Sequence, residues 1–249
     1  MNYGMDNHKV LPLCQDRSCV ILVEILMKIV EKGCWRMDAV MCMSLGYVLG
    51  SFSSADFISK WKRVDLRKKG SGNLGATNTL VVLGFRSGVF VLLFDLLKTI
   101  FANILAKWLF PHIYYAGLLA ACGAVIGHIF PFYLKFQGGK GVACLAGMIM
   151  SFDFGLFVFL LAIGVTMMIV LNYGIYVPVA VAAIFPFFVL LKTESVYLWF
   201  VTASVGALII HKHKDNFKNI REGKEIKVRK YFLDKLLHGH NGDEASHKE

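Results

Sequence analysis

The chain has 249 residues, 56% hydrophobic and 18% charged, with 23 Gly, 5 Pro and a formal net charge of +10. A mean hydropathy of +0.57 leaves too few polar residues to coat a soluble domain, and it equally excludes a disordered chain. The 6 Cys (Cys14, Cys19, Cys34, Cys42, Cys122, Cys144) form no CxxC pair and several lie in apolar runs, so they read as small hydrophobes, not as a disulfide framework. What remains is an all-α integral membrane protein with several spans. Its basic residues sit beside apolar runs, where they mark the cytoplasmic side and meet anionic lipid headgroups; nucleic acid is not an expected partner.

Residues 1–36 match no span. Val20–Val30 is apolar but interrupted by Glu24 and Lys28, and it lacks the unbroken core and small-residue cleavage site of a signal peptide. It reads either as an interfacial amphipathic helix or as sequence ahead of a true start at Met37. Met37 to Ser59 is the first run long enough for a hydrocarbon core of about 30 Å. Lys60, Lys62, Arg63, Arg67, Lys68 and Lys69 follow it and place that end in the cytoplasm. The second span, about Leu80 to Phe110, is overlong and carries Asp95 and Lys98 at i,i+3 spacing, suited to pairing on one face. Ile113 to Phe132 is the third, with Lys135 and Lys140 in the loop behind it.

Val142–Met150 is short and reads as a half-length or tilted helix. Spans at Phe154–Leu171, Gly174–Leu191 and Ser195–Ile210 complete a polytopic bundle of about seven helices. An odd count puts the termini on opposite sides, with the residue 37 end outside. The positive charge of the 60–69 loop, the 135–140 loop and the tail then falls in the cytoplasm. The expected organisation is an extension over 1–36, a transmembrane domain over 37–211, a cytoplasmic segment over 212–230 that completes the site, and a polar, disordered tail over 231–249.

Three polar segments land on the same predicted face. The first is Gly70-Ser71-Gly72-Asn73-Leu74-Gly75-Ala76-Thr77-Asn78, whose glycines expose backbone N–H groups where a helix opens, a recipe for binding an anion. Ser71, Asn73, Thr77 and Asn78 add neutral donors; the plain alternative is a capping loop with Thr77 or Asn78 as N-cap. The second runs from Gly127-His128-Ile129-Phe130-Pro131 to Phe136-Gln137-Gly138-Gly139-Lys140-Gly141-Val142-Ala143, where three glycines surround one lysine. A phosphate there meets amides and an ammonium together. It is not a Walker A loop, because Gly141 stands where Ser or Thr would hold magnesium. The plain alternative is a membrane-surface turn, with His128 as a core hydrogen-bonding residue. The third is His213-Lys214-Asp215-Asn216 with Gly223-Lys224-Glu225, whose plain reading is a basic cytoplasmic end. His211 and His213 do not face each other on a helix, so no metal site is expected there.

Together these segments closely resemble the bacterial acyl-phosphate:glycerol-3-phosphate acyltransferase family (PlsY type), over roughly Met37 to Lys230. Gly70 through Gly84 looks like its first motif, Gly127 through Ala143 its second, and His213, Asn216, Gly223 and Glu225 match part of its third. The resemblance implies a seven-helix membrane enzyme of the bacterial inner membrane. It would move an acyl chain from acyl phosphate to the 1-hydroxyl of glycerol 3-phosphate, giving lysophosphatidic acid and phosphate. No cofactor, acyl-CoA or metal is implied. Membrane lipids are the expected surroundings; the sequence leaves the oligomeric state open, a monomer being one option.

On that reading Lys140 and the Gly138, Gly139 and Gly141 amides hold phosphate. Ser71, Gly72, Asn73, Gly75, Thr77, Asn78 and His128 build the pocket. His213, Asn216 and Glu225 orient the acceptor, with His213 or the leaving phosphate as base. Two positions depart from the family pattern: Val81 and Asn219 stand where an Arg is usual, and each missing guanidinium removes roughly 1.5–3 kcal/mol of charge-assisted binding. Arg86 and Arg221 lie near them in sequence. The H-x4-D spacing of His238 and Asp243, known from acyl-CoA-dependent acyltransferases, falls in the polar tail and is a chance match. Alternatives from other classes are a transporter or binding protein for a phosphorylated metabolite, and a paralogue with altered acceptor or lost activity.

Overall fold

A computed structural model describes residues 37–225, 227 and 229. The extension over 1–36 and the polar tail with His238 and Asp243 lie outside the described residues. The chain divides into two units, 1–41 and 42–249. Of the first, residues 37–41 are described, and they are helical.

Every regular element among the described residues is helical. Helix α1 covers 37–51, its 42–51 portion belonging to the second unit. Then come α2 (Ser54–Trp61), α3 (Ala76–Leu83), α4 (Phe85–Leu109), α5 (Ala116–Ile129), a single 3-10 turn (Phe132–Leu134), α6 (Val142–Phe152), α7 (Phe154–Leu171), α8 (Tyr176–Thr193), α9 (Val196–Lys212) and α10 (Lys214–Arg221). Among the described residues, four stretches are long and apolar enough to cross a bilayer: Phe85–Leu109, Ala116–Leu134, Phe154–Leu171 and Tyr176–Thr193. Val142–Phe152 and Val196–Lys212 are shorter apolar helices. Leu93, Leu97, Phe101 and Ile104 of α4 and Phe154, Val158 and Phe159 of α7 are exposed, an apolar surface that suits lipid and not water.

Helix α5 is the centre. Thirteen of its fourteen residues are buried, and it is built from Ala, Gly, Leu, Val, Ile, Cys and one His. Small residues let backbones touch: a methyl group on Gly46 or Gly50 would fall 1.8 or 2.1 Å from the carbonyl oxygen of Ala120 or Ala124. On the reciprocal side, Gly123 and Gly127 press on the Met43 and Tyr47 carbonyls. This is the close approach that substitutes for a hydrophobic driving force between helices in lipid.

Two expected spans are corrected and a third is shifted. Met37 to Ser59 is not one helix: the chain leaves α1 after residue 51, and Ser53 caps α2 by accepting the Asp56 N–H at 3.2 Å. Groups freed by the break find partners, since Lys98 Nζ donates to the Phe52 carbonyl at 2.8 Å and the Ser53 N–H donates to the Tyr133 hydroxyl at 2.9 Å. Leu80 to Phe110 is two helices divided at Gly84, whose φ of 86° is glycine territory. That is why it read as overlong. Ile113 to Phe132 holds as a span but is shifted: it runs over Ala116–Leu134, with α5 starting at Ala116 and ending at Ile129 and the 3-10 turn following Pro131. The short span beyond Gly141 holds as α6.

Candidate active site

The first loop is organised by Asn78. Its Oδ1 accepts the Ser71 N–H at 2.8 Å, and its Nδ2 donates to the Leu66 and Lys69 carbonyls at 3.0 and 3.2 Å. Asn78 is therefore neither the cap of α3 nor a free donor, as the sequence suggested; its amide is used in tying the loop. Gly75 is the N-cap, and no side chain caps α3 among the described residues. Leu74 anchors the loop in a buried cluster with Ala55, Leu66, Val91 and Leu134, which fixes it against α2, α4 and the 3-10 turn. Ser71 and Thr77 are exposed, Gly72 and Asn73 half-buried, Gly75 buried.

The second loop turns back on the helix it leaves. Lys135 and Phe136 adopt left-handed φ of 54° and 59°. Gly138 and Gly139 then donate their N–H groups to the Ile129 and His128 carbonyls at 3.1 and 3.2 Å. These two amides satisfy orphan carbonyls of α5, so they seat the loop and do not face an anion, a correction to the expected cradle of Gly138, Gly139 and Gly141 amides. Gly141, at φ 84°, starts α6, whose first helical bond is Leu145 N–H to the Gly141 carbonyl at 2.8 Å. The N–H groups ahead of it carry no side-chain cap and no acidic neighbour in the first turn. Arg67, which the sequence did not single out as a site residue, donates from Nη2 to the Gln137 carbonyl at 3.2 Å at the rim.

The third segment begins where α9 meets α10. His213 is buried, and its Nδ1–H donates to the Ile209 carbonyl at 2.8 Å, which leaves the Nε2 lone pair free. Burial lowers its affinity for a second proton below the ordinary histidine value; the Ile209 bond and Glu225 oppose that, and the Lys140 charge adds to it. Helix α10 ends in a Schellman turn: Gly223, at φ 69°, donates to the Ile220 carbonyl at 3.1 Å and Lys224 to the Asn219 carbonyl at 2.8 Å. Glu225 also donates its N–H to Asn219, at 3.2 Å, which returns its carboxylate to Asn216. Asn216 Nδ2 donates to Glu225 Oε1 at 2.9 Å, and its Oδ1 accepts from Lys140 Nζ.

The three segments thus converge on Gly139 and Lys140. A methyl group on Gly139 would sit 2.2 Å from His128 Nε2 and 2.7 Å from the Leu74 carbonyl oxygen, so the first loop touches the second there. Asn216 joins the third segment to it through Lys140. Burial pushes the Lys140 ammonium below its usual range, with Glu225 and then Asp215 pushing back. Val81 lies exposed on α3, and the Asn219 carbonyl is held in the Schellman turn. Arg86 and Arg221 are both exposed.

Beneath Gly139 lies a buried polar cluster. Lys98 Nζ is 2.8 Å from Asp95 Oδ1 and 3.1 Å from His128 Nδ1, and the Ser54 hydroxyl donates to Asp95 Oδ1 at 3.2 Å. The i,i+3 spacing predicted the Asp95–Lys98 pair. Phe52, Ser54 and Cys144 were missed, since the chain offers no sign that they meet it, although the Ser53-x-x-Asp56 capping pattern marks the break that brings two of them near. Asp95, His128 and Cys144 offer ligand atoms within 4.8 Å of one another. The Lys98 ammonium already contacts two of those atoms, Asp95 Oδ1 and His128 Nδ1, and a cation in that place does not fit beside a metal ion.

The sequence model of the glycerol-3-phosphate acyltransferase family matches residues 40–223. A glycerol-3-phosphate acyltransferase of Coxiella burnetii is 35% identical over 197 residues, 78% of this chain and all of its own. One from Thermoanaerobacter pseudethanolicus is 32% identical over 193 residues, covering 77% and 96%. The crystal structure of PlsY (YgiH), an integral membrane glycerol 3-phosphate acyltransferase, in its glycerol 3-phosphate form superposes with a TM-score of 0.68 at 30% identity over 76% of this chain and 94% of that one. Its lysophosphatidic acid form gives a TM-score of 0.66 at 28% identity.

Proposed function

The chain belongs to the glycerol-3-phosphate acyltransferase family, and from that premise we propose that it moves a fatty acyl group from acyl phosphate to the 1-hydroxyl of glycerol 3-phosphate. Membership favours the enzyme over the transporter reading. The observation that carries the site assignment is the meeting of two helix starts without side-chain caps, α3 and α6, beside one half-buried ammonium, Lys140. Orphan N–H groups and positive helix ends favour phosphate, and both substrates of the proposed reaction carry it.

In the proposed reaction the acceptor oxygen forms a bond to the acyl carbon, and the bond from that carbon to the phosphate oxygen breaks. The electron pair leaves with phosphate. The hydroxyl proton goes to His213 Nε2 or to the departing phosphate. The donor is already activated, so the protein's share is positioning and charge stabilisation, without a covalent nucleophile. Lys140 and the amides of Lys140 and Gly141 hold phosphate. Ser71, Asn73 and Thr77 line the neighbouring pocket, and Asn216 and Glu225 orient both Lys140 and the acceptor.

In this reading α1 and α4–α9 make seven membrane helices of a bacterial inner membrane, with α2, α3, α10 and the site at the cytoplasmic face. A single copy contains every residue the scheme uses. The test presents purified protein in lipid with glycerol 3-phosphate and, in turn, acyl phosphate, acyl-CoA and acyl carrier protein thioester. Lysophosphatidic acid is expected with acyl phosphate alone. Equal turnover with a thioester, or none above a Lys140→Ala control, overturns the proposal.

A further inference from the structure

We infer that Asp95 and Lys98 are positioning residues for acyl transfer: they hold the His128 ring so that its Nε2–H faces Gly139 and fixes the loop that presents Lys140. The inference rests on the reading of Lys140 as the phosphate ligand.

The argument begins with the valence of one ammonium. Lysine has three donors and no acceptor. Lys98 Nζ has three acceptors around it: Asp95 Oδ1 at 2.8 Å, the Phe52 carbonyl at 2.8 Å and His128 Nδ1 at 3.1 Å. His128 Nδ1 must therefore accept. Asp95 Oδ1, at 3.6 Å from the same nitrogen, is too far to take a proton from it. The ring proton belongs on Nε2, and Nε2 is the atom packed on Gly139. The main chain reinforces this, because Gly139 N–H donates to the His128 carbonyl at 3.2 Å. One residue thus holds Gly139 from both its side chain and its backbone, one position before Lys140.

The pair has no evident stabilising purpose. Side chains of Asp95 and Lys98 are 2% and 6% exposed, and an ion pair at such depth is no more stable than apolar residues of similar volume. What it supplies is geometry. It ties together the α1–α2 break through Phe52, the start of α2 through Ser54, α4 itself, α5 through His128, and α6 through the Cys144 thiol, which donates to the Asp95 carbonyl at 3.4 Å. These are the elements around the loop.

The test pairs two experiments. The Asp95→Asn/Lys98→Met double variant removes both charges and keeps side-chain size. It should elute and unfold like the wild type, while kcat falls about a hundredfold, the cost of a small misplacement at a reacting centre. Nitrogen-15 spectra of labelled histidine should show His128 protonated at Nε2 alone in the wild type, and as a tautomer mixture in the double variant. Independently, His128→Gln keeps an amide donor at the Nε2 position whereas His128→Asn places it at Nδ1. The Gln variant should retain at least about tenfold more activity, which a merely structural histidine would not produce. Wild-type kcat in the folded double variant, equal activity of Gln and Asn, or an Nδ1–H signal overturns the proposal. If Lys140→Ala is inactive while the double variant is unimpaired, the positioning role alone fails; full activity in Lys140→Ala removes the reading beneath it.

Discussion

Lys140 Nζ donates to the side-chain oxygen of Asn216, 76 residues further along the chain. The contact joins the glycine-rich loop between α5 and α6 to the helix after the last apolar segment, and Asn216 passes it on to Glu225 at 2.9 Å. The ammonium is half-buried, and it is aimed by an uncharged amide, which leaves its charge available to phosphate.

Lys140→Ala is expected to lower kcat by about a hundredfold or more, as loss of one preorganised donor does. Asn216→Ala should cost less, and the double variant should fall short of the sum by about 0.5–3 kcal/mol because the two act as one unit. Steady-state kinetics of the four proteins checks this. Strict additivity would show that the Lys140–Asn216 contact has no part in turnover.

If His213 is the base of the proposed reaction it must be neutral, and its proton affinity is lowered, first by burial and then by Lys140. The acid limb of kcat/KM should therefore lie below about pH 6.5, the ordinary histidine value. Removing the cation in Lys140→Met should raise the His213 midpoint in an NMR titration, and Glu225→Gln should lower it. Since the unfolded histidine binds its proton at the higher pH, this group makes the fold less stable as pH falls through that range. An acid limb above the ordinary value would exclude His213 as the base.

Gly139 admits no side chain, because a methyl there meets His128 Nε2 at 2.2 Å and the Leu74 carbonyl at 2.7 Å. Gly139→Ala should abolish most activity and destabilise by about 1–3 kcal/mol through overpacking. Gly174, with nothing within 4 Å of such a methyl and an ordinary φ, is the control, and Gly174→Ala should behave as wild type. Equal effects at the two positions would count against loop packing as the cause.

Val81 is 67% exposed on α3, so an arginine side chain has room there. Val81→Arg should lower the Michaelis constant for glycerol 3-phosphate by about tenfold, the worth of one charge-assisted contact. An unchanged or raised constant would mean that this pocket recognises its acceptor without that cation.

Hydropathy was enough to read a membrane bundle, because apolar runs of span length are a one-dimensional signal. The segments that meet at the candidate site, with their Gly, Lys, His, Asn and Glu residues, were legible for a similar reason, since each motif is local. Helix breaks at Phe52–Ser53 and Gly84 were not, because each lies inside a run long and apolar enough to read as one span, and the Ser53-x-x-Asp56 capping pattern alone does not say that the chain turns there. The first depends on partners as remote as Lys98 and Tyr133. The fate of individual amides was also hidden. Nothing in Gly138-Gly139 says that its N–H groups return to α5, and nothing in Asn78 says that its side chain is used by Leu66 and Lys69.

The interruption after α1 sets α2 beside the site with Phe57 and Trp61 exposed, 53% and 74%, next to Lys60. Aromatic rings and a lysine at such a corner are anchors for the plane where headgroups meet tails. On the proposed reaction, a donor with a fatty tail is expected to arrive sideways within the leaflet without fully leaving it. Turnover should accordingly follow the mole fraction of donor in a mixed micelle and fall on dilution with inert detergent at constant bulk donor concentration. A rate governed by bulk concentration alone would place the entrance on the aqueous side.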